Sequence, residues 1–318
     1  MNTLLSHTLI AVTALAAAML ASCAHKDIEC SSVTREIEVL FEWDKAPQAH
    51  VKGMTLYFYP LDSYSKIWRF DIAGRDGGRV ELSPGHYRMI ACNNDLPGIW
   101  LEDTGKFSGL TATAASRIDT TTVATTGMLY GVTVREIEVT PCGVRYTTAD
   151  GNIKECVKGL VRCQPDSLST QFTVRLTHPV GAGRIRTAYA RLAPIASAMV
   201  LDSATPVGEN AALYLALLSD DGNNMLGGRG CAFSSGTPAN SPSHLWVHVT
   251  KADGMMLSRA VELADNNRNI LSPHNVIITI DSLDLSDGNN PSPDDVGGIE
   301  AAVDGWTAVE IDVEASTR

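Results

Sequence analysis

The sequence predicts an all-β protein made of two antiparallel β-sandwiches in tandem. Short segments in which apolar and polar residues alternate recur along the chain, as they do in half-buried strands. Turn signals such as Asp-Gly separate these segments about every ten residues, and no long amphipathic helical pattern interrupts them. The 318 residues, of which 44% are apolar, suffice for about two domains with cores of their own.

The first 22 residues are a predicted signal peptide. Their apolar run, LIAVTALAAAMLA at residues 9–21, is too short to span a membrane and suits the core of a signal sequence. It ends in LASC, the pattern that bacterial lipoprotein processing recognises. The cysteine of this pattern is acylated, and the chain is cleaved just before it. We therefore expect cleavage between Ser22 and Cys23, a fatty-acyl lipid such as palmitate on Cys23, and a polar tether over residues 23–33. An ordinary cleaved signal is the alternative, because no Lys or Arg precedes the apolar run.

Strand patterns fill the predicted N-terminal domain, residues 34–166. REIEVLFEW at residues 35–43 has one apolar face and one mostly acidic face, and GMTLYFYP at residues 53–60 is rich in aromatic and β-branched residues. KIWRFDIAGRDGGRVEL at residues 66–82 predicts a hairpin about an Asp-Gly-Gly turn. Further strand patterns are SPGHYRMIACNND at residues 83–95 and MLYGVTVREIEVTP at residues 128–141.

The stretch REIEV occurs at residues 35–39 and again at residues 135–139. The two copies have unrelated flanks, and alternation of charged and β-branched residues is what any half-exposed strand needs. We interpret the repeat as shared local structure, not as a duplicated domain. Residues 103–126, rich in Thr, Ala and Ser, predict a long loop with one short strand.

The predicted C-terminal domain, residues 167–318, repeats the same pattern of short strands. SHLWVHVTKADGMMLSRAVEL at residues 243–263 predicts a hairpin about Asp253 and Gly254. Other strand patterns lie at residues 169–179, 184–201, 211–228 and 274–285. The chain closes with GWTAVEIDVE, in which Trp306, Val309, Ile311 and Val313 are the apolar members and acids alternate with the last three. Such a closing strand must pair with a sheet edge, its own or a neighbour's.

Cysteine content leaves two alternatives open. Besides Cys23 the chain has six cysteines, an even number that permits disulfides in an oxidising compartment. Cys142, Cys156 and Cys163 are close in sequence, so a local bridge among them is one expectation, and buried free thiols are the other. The absence of a C-x-x-C pair in the sequence argues against a zinc site.

Composition and motifs exclude several functions. The net charge of -11 argues against a nucleic-acid partner. The sequence has no G-x-S-x-G, H-E-x-x-H, P-loop or dinucleotide motif, so we expect neither an enzyme nor a cofactor. His244 and His248 would lie about 13 Å apart on a strand, too far to share a metal. The Asp- and Asn-rich loops at residues 219–224 and 286–295 fit turn chemistry better than calcium binding.

The sparse aromatic residues offer two candidates for a ligand-stacking surface, Trp68 and Trp100. Both fall at positions where an exposed ring could stack on a sugar. The alternative, which the sequence leaves open, is that both rings belong to the core.

Several motifs together resemble the Bacteroidales fimbrillin-associated surface lipoproteins, a group that includes fimbrial anchors and minor subunits. They are VLFEWDKAP, VKGMTLYFYP, LSPGHYRMIACNND and GMLYG, together with the closing W-x-x-V-x-I-D-V pattern that begins at Trp306. The resemblance implies two transthyretin-like sandwiches on a lipid tether. It also implies that one subunit's strand completes the next subunit's sheet, with residues 306–314 as the donor or edge strand and residues 35–43 kept in place, as in an anchor.

These observations predict an outer-membrane lipoprotein exposed on the cell surface. The charged cluster AHKDIE behind Cys23 resembles the surface-export signal of Bacteroidetes lipoproteins, and a periplasmic orientation is the alternative. We expect a fimbria-associated anchor or minor subunit that acts in adhesion or pilus assembly by β-strand complementation. Its expected partners are membrane lipid, through Cys23, and fimbrial subunits. A standalone glycan- or peptide-binding lipoprotein is the alternative function.

Replacement of Cys23 by Ser should abolish acylation and release the mature protein from the membrane fraction, since the predicted lipid is the only anchor. Intact mass spectrometry of the mature polypeptide measures this directly. The matched control, Cys30→Ser, should keep the full lipid mass. An unmodified Cys23 in the mature wild-type protein would contradict the lipoprotein prediction.

Overall fold

The structure is a computed structural model. It describes residues 34–62, 65–115, 118–119, 121–148, 151–156, 159–181, 185–208, 211–220, 225–233, 242–263, 268–272 and 274–286. The predicted signal peptide, the tether and the closing strand therefore lie outside the described residues.

Strands make up nearly all of the regular structure in these ranges, which confirms the all-β prediction. In the first half they are β1 (Arg35–Phe41), β2 (Gly53–Pro60), β3 (Trp68–Ala73), β4 (Gly77–Leu82), β5 (Gly85–Asn93), β6 (Ile99–Glu102), β7 (Thr111–Ala114), β8 (Thr122–Val123), β9 (Tyr130–Thr140), β10 (Gly143–Thr147), β11 (Ile153–Cys156) and β12 (Leu160–Cys163). A 3₁₀ turn, Phe107–Gly109, lies between β6 and β7.

The second half continues in the same way. Its strands are β13 (Asp166–Ser167), β14 (Ser169–Thr177), β15 (Ile185–Ile195), β16 (Ala198–Val200), β17 (Thr205–Val207), β18 (Ala211–Asp220), β19 (Met225–Phe233), β20 (His244–Lys251), β21 (Met256–Glu262), β22 (Arg268–Ser272) and β23 (Asn275–Asp281).

The strands form four sheets. A three-stranded sheet has the order β12-β1-β4, and a seven-stranded sheet has the order β11-β10-β9-β5-β2-β3, with β13 also paired to β9. A nine-stranded sheet has the order β21-β20-β15-β18-β19-β14-β23-β22, with β8 paired to β18, and a four-stranded sheet has the order β17-β16-β7-β6. Most pairs are antiparallel; β1 with β12, β14 with β23 and β18 with β8 are parallel.

The first core lies between the three-stranded and the seven-stranded sheets. Strand β1 shows why it forms here: Ile37 and Val39 are completely buried, whereas Glu36 is exposed and pairs with Arg79. The alternation of apolar and charged residues in REIEV therefore places one face of β1 toward the core and the other toward solvent, as predicted. Phe41 and Trp43 extend the same apolar row.

Strand β2 has no alternation in burial, because both of its faces are covered. Leu56 and Phe58 point into the first core, whereas Tyr57 and Tyr59 join a second core formed with the nine-stranded and four-stranded sheets. A strand that is apolar on both faces is typical of a sheet buried between two layers. The seven-stranded sheet is thus shared by the two cores.

The predicted long loop at residues 103–126 is more regular than expected. Strand β7 pairs with β16, and β8 pairs with β18, so this stretch of the first half joins the sheets of the second half. Leu110, Ala112 and Val123 are buried in the second core. The domain bounds 34–166 and 167–318 stay predictions, since strand pairing here crosses from one interval to the other.

The Asp-Gly-Gly hairpin expected at residues 66–82 does not form. Strand β3 is the edge of the seven-stranded sheet, whereas β4 pairs with β1 in the opposite sheet. Gly77 allows this crossing, because a Cβ there would lie 2.0 Å from the carbonyl oxygen of Val39 and its φ of 119° disfavours other residues. The hairpin predicted about Asp253 and Gly254 is present as β20 and β21.

Replacement of Ile37 by Ala should lower the free energy of unfolding by about 2–5 kcal/mol, because it empties a completely buried position. The matched control on the same strand, Glu36→Ala, removes only an exposed ion pair and should cost less than about 1 kcal/mol. Urea unfolding followed by fluorescence measures both variants. Equal losses for the two variants would show that β1 is not part of the core.

Candidate functional site

Two sets of predicted site residues lie outside the described residues. They are the processing site, Ser22 and Cys23, and the apolar positions of the closing strand, Trp306, Val309, Ile311 and Val313. Their roles stay predictions. The structure does describe the first strand, the aromatic candidates, the histidines and four of the cysteines.

Strand β1 is the central strand of its sheet and not an edge. It pairs with β4 on one side and with β12 on the other, and the Glu38 amide donates to the Gly159 carbonyl over 2.9 Å. Beyond its end, the Trp43 indole donates to the Arg75 carbonyl over 2.8 Å, and the Arg75 guanidinium stacks 5.1 Å from that ring. Removing β1 would open an apolar groove between two strands that do not contact each other through backbone pairing.

The two aromatic candidates have different surroundings. Trp68 is half-buried against the first core, parallel to Phe70 at a ring distance of 6.1 Å, with the Lys66 ammonium 5.1 Å from its ring. Trp100 is 67% exposed on β6, the edge strand of the four-stranded sheet. Of the two, Trp100 has the accessible ring that a stacking ligand requires.

The cysteines differ as sharply in burial. Cys142 is exposed in the turn between β9 and β10, whereas Cys163 is completely buried and its burial raises the pKa of the thiol to about 12. Both thiols are free, as are those of Cys92 and Cys231, so a bridge between Cys142 and Cys163 is absent. Cys156 ends β11, and its side chain lies outside the described part of the chain.

His244 and His248 lie on one face of β20, as the sequence predicted. His248 stacks 4.6 Å from Tyr189, and its Nδ1 shares a hydrogen bond of 3.0 Å with the Ser258 hydroxyl. His244 stacks on Trp246 at 5.6 Å. Burial, with a smaller contribution from the Arg191 charge, lowers the pKa of His248 to about 4. Each imidazole is therefore packed into the sheet face.

A cleft that the sequence did not predict opens where the two halves of the chain meet. Its volume is about 480 Å³, within the range of small-molecule sites. Strand β9, the turn after β10, the segment around β13 and the turn before β17 line it, and its ionisable members are Lys45, Arg135, Asp166, Asp202 and His274. These groups come from five distant segments, so no local pattern could have revealed them.

His274 is a largely enclosed ionisable group in this cleft, and its side chain is less exposed than that of Asp166. Burial lowers its pKa, and this effect outweighs the opposing influence of Asp166, whose carboxylate lies 3.9 Å from Nε2. The imidazole is thus neutral near pH 7. The cleft has no aromatic wall among its described lining residues, so it lacks the stacking surface that a sugar site normally uses.

Within the described ranges, no group of three or more His, Cys, Asp and Glu side chains is arranged to hold a metal ion. Nor does any helix in the described part of the chain have the length and apolar character needed to cross a membrane.

Comparison with known families gives one match. The model of a domain of unknown function, DUF5119, matches residues 22–216, which is more than half of the chain. The match begins one residue before Cys23 and continues past the strands that cross between the two halves. No curated protein matches the chain.

Comparison with solved structures shows where the same fold occurs. A candidate adhesin from Bacteroides ovatus is 14% identical, with a TM-score of 0.62 over 85% of this chain and 98% of that one. A second candidate adhesin from the same species is 12% identical, with a TM-score of 0.52 over 78% and 88% of the two chains. A candidate polysaccharide-binding protein (DUF1812) from Bacteroides thetaiotaomicron is 12% identical, with a TM-score of 0.51 over 79% and 92%. These likenesses confirm the fold that the resemblance implied.

Stability should fall as the pH drops from about 6.5 toward 4, because the unfolded chain binds protons at His248 that the folded protein excludes. At about 1.4 kcal/mol per pKa unit, the loss from His248 is at most about 3.5 kcal/mol, and His274 adds to it in the same direction. Urea midpoints measured across this interval test the effect. The His248→Gln variant should flatten the profile, whereas the exposed control His50→Gln should leave it unchanged.

Proposed function

We propose that this chain, which belongs to the DUF5119 family, is a lipid-anchored protein of the outer cell surface that acts in adhesion or fimbrial assembly. The observation that carries the proposal is the likeness of its fold to the candidate adhesin of Bacteroides ovatus over 85% of the chain. The predicted lipoprotein signal supplies the location, because acylation at Cys23 would hold the protein to the outer membrane.

The position of β1 supports an anchor or minor subunit over a shaft subunit. In assembly by strand complementation, a subunit that accepts a partner's strand must have an open groove. Here β1 fills the space between β4 and β12, with Ile37 and Val39 completely buried. A subunit whose own strand occupies the groove ends the assembly on that side. The closing strand, residues 306–314, would then engage the next subunit.

A second candidate function is capture of glycan or peptide at the cell surface. The specific observation in its favour is Trp100, whose ring is 67% exposed on an edge strand. Aromatic rings with one accessible face bind sugars by stacking and bury large apolar areas against peptides. This function would depend on the described sandwich and not on the closing strand.

Deletion of residues 306–318 should abolish co-purification of the protein with surface filaments, because it removes the proposed donor strand. The matched control deletes only residues 315–318 and keeps the strand. Filaments sheared from cells and probed by immunoblotting provide the measurement. If both deletions leave co-purification intact, strand exchange through the C-terminal segment is wrong, and surface capture through the sandwich becomes the better account.

A further inference from the structure

One face of the nine-stranded sheet is exposed to solvent but has the composition of an interface. We call it the outer face, and it is formed by alternate residues of β15, β18, β20 and β21. Most of the intervening residues are buried in the second core. Its members are Thr187, Tyr189, Arg191, Tyr214, Ala216, Leu218, His244, Trp246, His248, Thr250, Met256, Ser258, Ala260 and Glu262.

The rings on the outer face stack across neighbouring strands. Tyr214 lies 5.1 Å from Tyr189, which lies 4.6 Å from His248, and the ring planes are within 26° of parallel. Since the rings cover each other's faces, they present their edges to solvent. That arrangement is poor for stacking a sugar but suits a flat apolar partner.

Charge is nearly absent from the outer face. Arg191 is its only Lys or Arg, and it is already engaged, donating to the Thr121 hydroxyl over 3.3 Å. Glu262 is the only carboxylate among the members named above and lies at the end of β21, opposite His244. Leu218 and Met256, at the other end of the face, are each 76% exposed. The solvated face of an antiparallel sheet normally carries many charges, so a face with few charges that exposes Leu218, Met256 and aromatic rings indicates an interaction surface.

The chain leaves the described structure at β21, the edge strand of this sheet, on its core-facing side, because Arg259 is paired with the buried Val247. Arg259 of the edge strand β21 donates from Nε to the Asp284 carbonyl over 2.9 Å and from Nη2 to the Ser286 carbonyl over 3.1 Å. Ser286 is the last described residue of the chain, and 32 residues follow it. The nineteen residues between Ser286 and Trp306 can extend about 60 Å, several times the width of four strands spaced about 4.8 Å apart.

The following residues have the composition that such a face would bind. Residues 287–318 contain eight acids and a single Arg, and near their end Val309, Ile311 and Val313 alternate with acids. In an extended segment the apolar side chains would all point one way and the carboxylates the other. The apolar side matches the uncharged face, and the acidic side would remain in water.

We propose that residues 306–313 pack over the outer face of their own chain, with Val309, Ile311 and Val313 against Leu218, Met256 and the stacked rings. This packing of residues 306–313 on the outer face goes beyond the proposed function, since it concerns the protein before any partner is bound. A closing strand that serves another subunit would first have to leave this face.

A second copy of the chain is a weaker occupant. Four strands about 4.8 Å apart, over about seven residues each, expose about 450 Å². A stable complex normally buries about 800 Å² on each partner. A segment attached at the edge of the sheet, with a linker long enough to pass round β21, does not need that area, because its attachment gives it an effective concentration in the millimolar range.

Hydroxyl-radical footprinting of the mature full chain, read by mass spectrometry, tests this proposal with Met256 as the probe. We expect Met256 to be oxidised several-fold faster in a chain that ends at residue 304. The Val309→Asp, Ile311→Asp double variant of the full chain should reproduce that increase. Trp100, exposed on the four-stranded sheet, is the internal reference and should react equally in all samples.

The matched control is the Glu310→Gln, Asp312→Asn double variant, which alters the solvent side of the segment and should keep Met256 protected. Equal oxidation of Met256 in the full and shortened chains would overturn the proposal. Protection that grows with protein concentration would also overturn it, because the cover would then be a second copy. The footprinting experiment measures oxidation of one isolated chain and not association with filaments, so its outcome is independent of the proposed function.

Discussion

Strand β2 sends alternate side chains into two different cores, and neither core can form without the sheet to which this strand belongs. Phe58 and Leu56 complete the first core, while Tyr57 and Tyr59 complete the second. The two halves of the molecule are therefore coupled through one buried layer. The crossing of β7 and β8 into the sheets of the second half strengthens that coupling, because residues of the first half are buried in the second core.

Local sequence patterns predicted the strands that have one face buried in a core and the other exposed to solvent. The alternation in REIEV predicted the burial of Ile37, and the Asp253-Gly254 signal predicted the β20–β21 hairpin. Patterns failed where tertiary pairing overrode them. The Asp-Gly-Gly turn before β4 looked like a hairpin, yet the missing Cβ of Gly77 lets the chain pass close to the Val39 carbonyl and cross to the opposite sheet. The alternation of Thr and Ala at residues 111–114 is matched by alternate burial of Ala112 and Ala114, but such small side chains give only a weak hydrophobic signal in the sequence.

The candidate functional surfaces were less predictable than the strands. The stacked rings of Tyr214, Tyr189 and His248 come from three strands, so only the register between strands brings them together. The cleft that contains His274 is assembled from distant segments for the same reason. Burial is equally invisible in sequence: Cys142 and Cys163 look alike there, yet one thiol is exposed and the other is enclosed. The sequence indicates which residue types could form a binding surface, but it does not indicate which of them lie side by side in the folded protein.

The placement of β1 has a mechanical consequence. A protein held to a membrane at its N-terminus and pulled by whatever it binds would carry tension directly into this strand, along its own axis. Strand β1 is paired on both sides, with β4 antiparallel and β12 parallel. Force in that direction loads both ladders in shear, so their hydrogen bonds resist together and do not open one at a time. The arrangement suits a molecule that must hold a load at the end nearest its attachment.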